Sequence, residues 1–342
     1  MELASKRIVV TGGSGFLGRY VVRELIAAGA HPDRIIVPRS THYDLRRQDA
    51  VQGLYRDATP DVLIHLAARV GGIGANRIHP GQFFYDNLVM GAEVIEQGRA
   101  FGVEKLIMVG TICSYPKHTP VPFREESLWE GYPEETNAPY GIAKKALLVQ
   151  GQAYRAEYGM NIIHLLPVNL YGPGDNFDEH SSHVIPALLR KCVAAREHGN
   201  ESIVCWGDGT ATREFLYVAD AARAIVMATR LYDEGRPVNL GSGEEISIRS
   251  LVEMIAEETR FPGRIDWDGS KPNGQPRRCV NTDLARAAFG FSASTALRDG
   301  LRRTVDWYEA ARRGAEGPRV RAPEVGRRLG FGAPGAEIRE LR

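Results

Sequence analysis

Tyr140 and Lys144 are four positions apart, a spacing that places both side chains on one face of an α-helix. A phenol beside an ammonium group suits acid–base chemistry, because the positive charge favours the phenolate. We expect it to bring the tyrosine pKa below its usual value of about 10. Thr111 lies just beyond the end of the strand predicted before this helix and offers a hydroxyl to the same substrate oxygen. The three residues predict a site that transfers a proton at a substrate oxygen.

A glycine-rich segment lies directly between the first predicted strand and the first predicted helix. It reads Thr11-Gly12-Gly13-Ser14-Gly15-Phe16-Leu17-Gly18. Gly12 and Gly15 allow a tight turn and let backbone N–H groups approach a pyrophosphate, while Gly18 permits close packing of helix on strand. Its place after a strand and before a helix makes the motif specific. The segment predicts dinucleotide binding.

The end of the second predicted strand indicates which dinucleotide binds. The residues there are Val37-Pro38-Arg39-Ser40-Thr41, with no carboxylate to accept from the ribose hydroxyls of NAD. Arg39 and the hydroxyl of Ser40 can contact a 2′-phosphate, which favours NADP(H) over NAD. A solvated surface role for Arg39 stays open at this stage. Asp44, followed by Leu45, is placed where it can meet the adenine amino group.

Strands and helices alternate through the first half of the chain and must position these residues. Apolar β-branched runs predict strands at 7–11, 34–37, 62–66, 105–109 and 161–166, with helices at 16–28, 81–101 and 140–158 between them. Continuous apolar strands alternating with helices are typical of a doubly wound parallel sheet, the Rossmann fold. We expect an α/β protein with three segments: a dinucleotide-binding domain at 1–170, a smaller C-terminal α/β substrate domain at 171–313, and a disordered tail at 314–342. Some later segments are expected to return to the first domain.

The composition excludes several classes of protein. The 342 residues contain 43 Lys and Arg against 42 Asp and Glu, which leaves no general positive field for nucleic acid. The cysteines at 113, 192, 205 and 279 show no CxxC pair or metal-ligand spacing, so neither disulfides nor a metal are expected. There is no signal-peptide pattern and no apolar run of about 18 residues. We therefore expect a soluble cytoplasmic protein without nucleic-acid or membrane partners.

The glycine segment, Thr111, Tyr140 and Lys144 together resemble the extended short-chain dehydrogenase/reductase superfamily, over residues 7–312. The resemblance implies that the three side chains protonate a carbonyl oxygen while NAD(P)H delivers hydride to its carbon. Further cofactor contacts follow the superfamily pattern. They are Leu66, Ala67, Ala68, Val109, Gly110, Pro167, Asn169, Leu170 and His183.

Longer strings resemble one branch, GDP-L-fucose synthase, an NADP-dependent epimerase/reductase of a GDP-linked 4-keto-6-deoxy sugar. They are Ala67-Ala68-Arg69-Val70-Gly71-Gly72-Ile73, Cys113-Ser114-Tyr115-Pro116-Lys117, Thr136-Asn137-Ala138-Pro139-Tyr140, Asn169-Leu170-Tyr171-Gly172-Pro173, Asp175-Asn176-Phe177, Ser182-His183-Val184-Ile185-Pro186-Ala187-Leu188-Leu189-Arg190 and Arg213-Glu214-Phe215-Leu216. The resemblance implies Cys113 as epimerisation base, His183 as acid, and a homodimer formed through the helices at 81–101 and 140–158. It also implies substrate contacts at Val70, Gly71, Asn169, Val184, Lys191, Trp206, Arg213 and Asn273.

The proposed base has a simple geometric rationale. Cys113 lies two residues beyond Thr111, so in extended backbone both side chains would point to the same side. Near Lys144 and the positive ring of the cofactor, its thiol is expected to ionise readily. His183 supplies an imidazole, whose usual pKa suits proton transfer near neutral pH.

Two positions depart from the branch pattern. Thr111-Ile112-Cys113 stands where the branch usually has Ser-Ser-Cys, and the threonine keeps the hydroxyl. Lys271-Pro272-Asn273-Gly274 stands where it usually has Lys-Pro-Asp-Gly. An amide cannot accept two hydrogen bonds from the guanine edge as a carboxylate does. The second departure leaves the nucleotide open.

Three alternatives to the epimerase/reductase therefore remain at this stage. A related enzyme could reduce C4 of a GDP-linked 4-keto sugar or heptose without epimerisation. An NAD-dependent nucleotide-sugar 4-epimerase or 4,6-dehydratase usually carries an acidic residue after the second strand, which this chain lacks. A non-catalytic Rossmann module that senses NADP(H) has no need of Thr111, Tyr140 and Lys144 as a set.

Overall fold

The computed structural model describes residues 1–179, 181–271 and 275–314. Its largest element is a six-stranded parallel sheet in the order β2-β1-β3-β4-β5-β9. The strands of the described residues are β1 (Ile8–Thr11), β2 (Ile35–Ile36), β3 (Val62–His65), β4 (Lys105–Val109), β5 (Ile162–Pro167), β6 (Asn169–Tyr171), β7 (Ser202–Trp206), β8 (Thr212–Tyr217), β9 (Val238–Leu240), β10 (Glu245–Ser247) and β11 (Arg264–Asp268). The order, which runs outward from β1 in both directions, is that of a doubly wound sheet.

Helices connect these strands. They are α1 (Phe16–Ala27), α2 (Gln48–Ala58), α3 (Ile73–Ile78), α4 (Pro80–Ala100), α5 (Ala138–Tyr158), α6 (Val184–His198), α7 (Val218–Leu231), α8 (Ile248–Glu258), α9 (Asp283–Phe289) and α10 (Leu297–Arg312). Within the described residues, three short 3-10 helices lie at Pro32–Arg34, Ile112–Ser114 and Glu125–Trp129. In the part of the chain that the structure describes, none of the helices is long and apolar enough to span a membrane.

Both faces of the large sheet are covered, which explains why its strands are continuously apolar. In β1, Ile8 and Val10 belong to a core with α1 and α7, whereas Val9 belongs to a core with α2, α4 and α5. Alternate residues of a strand point to opposite faces, so an apolar side chain is needed at every position. The centre of the sheet, where the functional loops begin, is thus packed on both faces.

A smaller set of elements packs beside the large sheet. It contains the sheet β10-β8-β6, the parallel pair β11-β7, and helices α6, α8 and α10 around a separate apolar core. The chain passes between the two sets, because α7 packs on α1 and β9 joins the large sheet. The division at residue 170 stays a prediction, and the predicted tail lies outside the described residues beyond Gly314.

The predicted fold class is confirmed. Each of the five strands predicted in the first half lies within two residues of an observed strand. Sequence analysis did not predict α2, α7 or β8. Each mixes charged with apolar residues, and only packing against neighbouring elements reveals which face is buried.

Candidate functional site

A cleft of about 1660 Å³ opens at the carboxyl ends of the central strands and extends towards α6 and β7. Ligands of open α/β sheets bind at this edge. Of the predicted site residues that the structure describes, all but Gly13 line it: Gly12, Ser14, Gly15, Phe16, Leu17, Gly18, Arg39, Ser40, Asp44, Leu45, Leu66, Ala67, Ala68, Val70, Gly71, Val109, Gly110, Thr111, Cys113, Tyr140, Lys144, Pro167, Asn169, Leu170, His183, Val184, Lys191, Trp206 and Arg213. Gly13 instead packs on Val37, and Asn273 lies outside the described residues.

The glycine loop forms a phosphate cradle at the start of α1. Gly12 has φ +72°, a left-handed conformation that glycine adopts without strain. A Cβ on Gly18 would lie 2.2 Å from the carbonyl oxygen of Gly12, so only glycine fits there. Gly15 is the N-cap and has no side-chain cap, so the N–H groups of the first turn are left for a ligand. These features fit the pyrophosphate of a dinucleotide.

Two arginines, Arg39 and Arg46, line the cleft near the end of β2. The exposed Arg39 side chain lines the cleft, as expected. Asp44, predicted to meet the adenine, instead holds Arg46 through two hydrogen bonds of 2.9 and 2.7 Å. The hydrogen bonds that Arg46 donates lower the pKa of the Asp44 carboxyl to about 2, so Asp44 is ionised at neutral pH. The adenine contact of Asp44 stays a prediction, in competition with this ion pair.

Tyr140 enters the cleft from the first turn of α5. Pro139 precedes it at the start of the helix, where a missing N–H has no cost. Its hydroxyl is hydrogen-bonded to the Thr111 hydroxyl. The prediction that the pKa of Tyr140 is lowered is wrong. Burial and the Cys113 side chain raise the pKa of Tyr140, and the Thr111 hydrogen bond offsets only part of this.

Lys144 lies one turn further along α5, and its Nζ donates to the backbone oxygen of Val109 at 3.1 Å. Burial lowers the pKa of Lys144 to about 8. Lys144 is therefore mainly protonated below pH 8. Its hydrogen-bond partner is the backbone oxygen of Val109, at the end of β4, and not the Tyr140 hydroxyl. This explains why the lysine does not depress the pKa of Tyr140.

Cys113 reaches the same cleft by a different route from the one expected. Thr111 is extended, with φ −159° and ψ 147°, but the backbone then turns into the 3-10 helix Ile112–Ser114. The assumption of continuous extended backbone was therefore wrong. The turn is fixed locally, because the Cys113 amide donates to Thr111 Oγ1 at 3.1 Å. It still leaves the thiol among the cleft-lining groups.

His183 is the N-cap of α6, on the wall of the cleft. The His183 side chain is exposed to the cleft, although many protein atoms lie around it. Burial lowers the pKa of His183, which favours the neutral ring. A bound anion would oppose this shift and favour the imidazolium, since opposite charges stabilise each other in a desolvated site.

The far end of the cleft combines cations with an aromatic ring. Trp206 on β7 is 57% exposed, which excludes an ordinary core role. Lys191 donates to the Val204 backbone oxygen at 2.9 Å. Arg213 donates to the backbone oxygens of Thr212 and Gln275 at 2.7 and 2.6 Å. These groups could hold a diphosphate and stack on a base.

Comparisons with known proteins identify the family of this chain. Residues 8–241 match the model of the NAD dependent epimerase/dehydratase family. The chain is 40% identical over 308 residues to GDP-L-fucose synthase 1 of Arabidopsis thaliana, covering 90% of this chain and 94% of that relative. It belongs to this family, in the GDP-L-fucose synthase branch. The branch also includes GDP-L-fucose synthase of Escherichia coli (strain K12), 34% identical over 316 residues, covering 90% of this chain and 97% of the relative.

Solved structures of related enzymes share the fold. A GDP-L-fucose synthetase from Naegleria fowleri bound to NADP superposes with a TM-score of 0.81 at 30% identity. It covers 90% of this chain and 95% of that one. A GDP-6-OMe-4-keto-L-xylo-heptose reductase from C. jejuni superposes with a TM-score of 0.83 at 26% identity, covering 89% and 97%. The predicted membership of the GDP-L-fucose synthase branch is confirmed.

Two groups of cleft residues were missed by sequence analysis. Arg278 and Gln275 enter from the segment after residue 274, and Asp175 enters from the loop before α6. Burial raises the pKa of Asp175 to about 7, and its Oδ2 atom is buried without a hydrogen-bond partner among the described residues. Asp175 stands within a string shared with the GDP-L-fucose synthase branch, which is a signal that could have found it. Arg278 carries no such local signal.

Proposed function

We propose that the chain is an NADPH-dependent epimerase/reductase of a GDP-linked 4-keto-6-deoxy sugar. Membership of the GDP-L-fucose synthase branch supports the activity, and the NADP-bound neighbour supports the cofactor. One structural observation carries the chemistry. A reductive set (Thr111, Tyr140 and Lys144) and a potential base and acid (Cys113 and His183) line one cleft that begins at the phosphate cradle.

Reduction needs a proton donor at the C4 carbonyl oxygen. NADPH, when bound, supplies the hydride for the C4 carbon. Tyr140 donates its hydroxyl proton to the C4 oxygen, and the Thr111 hydroxyl, already hydrogen-bonded to Tyr140, orients the same oxygen. A phenol whose pKa is raised by burial is held as the neutral acid at neutral pH, which suits a proton donor. Lys144, protonated mainly below pH 8, then stabilises the phenolate that remains.

Epimerisation uses the acidity that the 4-keto group gives to C3 and C5. The Cys113 thiolate takes a proton from one of these carbons: the C–H bond breaks, the S–H bond forms, and the electron pair becomes an enolate. The negative charge on the C4 oxygen is stabilised by hydrogen bonds from Tyr140 and Thr111. His183, protonated to the imidazolium when the anionic nucleotide sugar is bound, gives its proton to the carbon from the opposite face, which inverts the carbon and leaves the neutral ring. Exchange with solvent then restores both side chains.

A reductase that does not epimerise is the second candidate. It is favoured by two C. jejuni neighbours, the reductase described above and a GDP-mannoheptose C4 reductase with NADP bound, which superposes with a TM-score of 0.79 at 26% identity. An enzyme of that kind needs Tyr140 but not an exchange-competent Cys113. The choice of nucleotide also stays open, because Asn273 replaces the aspartate usual in the branch and lies outside the described residues.

Anaerobic incubation in D₂O with NADPH tests the proposed function. A panel of GDP-, dTDP-, CDP- and UDP-linked 4-keto-6-deoxy sugars is offered, and the products are examined by mass spectrometry and NMR. We expect NADPH oxidation with the GDP-linked sugar and deuterium at C3 and C5 of the product. Oxidation without deuterium would establish the plain reductase, and no oxidation with any donor would contradict both candidates.

Arg39 provides a test of the cofactor site. Arg39→Ala is expected to raise the Kd for NADPH about tenfold or more and to leave the Kd for NADH nearly unchanged, because only NADPH carries the 2′-phosphate. Fluorescence titration measures both constants. Arg47→Ala is the control, since Arg47 pairs with Asp49 outside the cleft. Equal losses for NADPH and NADH would refute a role of Arg39 at the 2′-phosphate.

The proposal includes a homodimer and a cytoplasmic location. Helices α4 and α5 pack against each other and carry exposed apolar side chains, Phe84, Tyr85, Val149 and Tyr158. Pairing of these helices with those of a second copy would cover that surface. The biosynthetic role of the relatives supports the location.

A further inference from the structure

Arg278 lies beside Cys113 in the cleft wall. Its Nη1 is 3.7 Å from the Cys113 Sγ, although 165 positions separate the two residues. The Arg278 side chain is only 7% exposed, and its Nε donates to Gln275 Oε1 at 2.6 Å. Gln275 is itself anchored, since its Nε2 donates to the Lys117 backbone oxygen at 3.0 Å. The guanidinium is therefore aimed at the thiol by a fixed support.

The charge of Arg278 has no carboxylate partner at ion-pair distance within residues 1–179, 181–271 and 275–314. The neighbouring Arg277, by contrast, forms an exposed ion pair with Glu245. A buried guanidinium that forms no ion pair favours ionisation of the acidic groups around it. For Arg278, the contact made at 3.7 Å is with a thiol, which becomes an anion on losing its proton.

The other charged groups around the thiol do not cancel this effect. They are Glu134 in the loop before α5, Arg213 on β8, and Tyr140 and Lys144 on α5. Burial raises the pKa of Glu134, but hydrogen bonds from Thr136 and Asn137 and the charge of Arg278 outweigh it, so the pKa is lowered and this carboxylate is charged. Its hydrogen bonds go to Thr136 and Asn137, and it forms no ion pair with Arg278 within the described residues. Burial and the charge of Arg278 lower the pKa of Arg213 to about 10, which leaves it protonated at neutral pH.

We propose that Arg278 is a positioning residue that holds Cys113 as a thiolate, ready to take the proton from the carbon beside the keto group. The catalytic consequence of this inference rests on the proposed function, whereas the Arg278–Cys113 contact does not. The arginine acts through Cys113, and Gln275 aims the guanidinium.

Alkylation of Cys113 in the substrate-free protein tests the contact separately from the function. The neutral reagent iodoacetamide reacts with thiolates, and labelling of the Cys113 peptide is followed by mass spectrometry between pH 6 and 9. We expect Arg278→Gln to slow alkylation about tenfold at pH 7 and to move its pH profile upward by about one unit. Arg278→Lys should largely restore the rate, and Arg277→Gln, the matched control, should leave the profile unchanged.

Each outcome decides a different point. An unchanged alkylation profile in Arg278→Gln, with only the KM for the nucleotide sugar raised, would overturn the proposal and make Arg278 a substrate-binding residue. If Arg278→Gln does not fold, Gln275→Leu, which releases the guanidinium but keeps its charge, should slow alkylation about threefold, and an unchanged rate would overturn the proposal. A slowed alkylation together with no deuterium exchange by the unaltered enzyme would contradict the proposed epimerisation while leaving the Arg278–Cys113 contact intact.

Discussion

Tyr140→Phe is expected to lower the rate of NADPH oxidation with a 4-keto sugar by about 10³-fold, the largest loss expected from any single substitution in the cleft. Phenylalanine keeps the ring and removes only the hydroxyl. That hydroxyl is the group that donates a proton to the C4 oxygen and bonds to Thr111. The loss should appear in kcat, because the donated proton matters in the transition state rather than in binding. Stopped-flow measurement of NADPH absorbance gives the rate.

The control for this variant lies on the same helix. Tyr158, near the end of α5, is 47% exposed and lies under the Arg99 guanidinium, away from the cleft. Tyr158→Phe should therefore oxidise NADPH at the normal rate. NADPH binding, measured by fluorescence, should be retained in both variants. Turnover by Tyr140→Phe within a few-fold of the unaltered protein would refute the role of Tyr140 as proton donor.

Cys113→Ser is expected to slow deuterium incorporation at C3 and C5 by about 10²-fold or more while sparing reduction at C4. A serine hydroxyl is far less acidic than a thiol, so the nearby Arg278 can no longer hold the side chain as an anion. The Thr111 and Tyr140 hydroxyls are untouched, so proton transfer to the C4 oxygen continues. The product should be the C4-reduced sugar without inversion, which NMR distinguishes.

Cys279→Ser is the matched control for this substitution. Cys279 is 7% exposed and lies next to Arg278 in the chain, but it does not line the cleft. The same change from sulfur to oxygen should therefore leave exchange and reduction unaltered. Unchanged deuterium incorporation in Cys113→Ser would assign the base to another group. The buried Asp175 carboxyl, which lines the cleft and has a pKa raised to about 7, is then a candidate.

The features of the site differ in how far the sequence alone predicted them. The glycine cradle and the pair Tyr140 and Lys144 follow from motifs that depend on only a few neighbouring residues. The ionisation of Tyr140 was predicted with the wrong sign, because the spacing of a lysine says nothing about how far burial desolvates a phenol. The backbone at Cys113 was also predicted wrongly, because its turn depends on a hydrogen bond to Thr111.

The sequence by itself determined the alternation of strands and helices in the first half of the chain, the cofactor loop and the types of side chain that could do chemistry. These features have short-range causes: the periodicity of apolar residues, the freedom of glycine, and the spacing of side chains along a helix. Only the tertiary structure decided that Arg278 contacts Cys113 and that Asp175 and Gln275 line the same cleft. Contacts between distant positions, and the burial that shifts pKa values, arise when separate elements pack together, which no local pattern encodes.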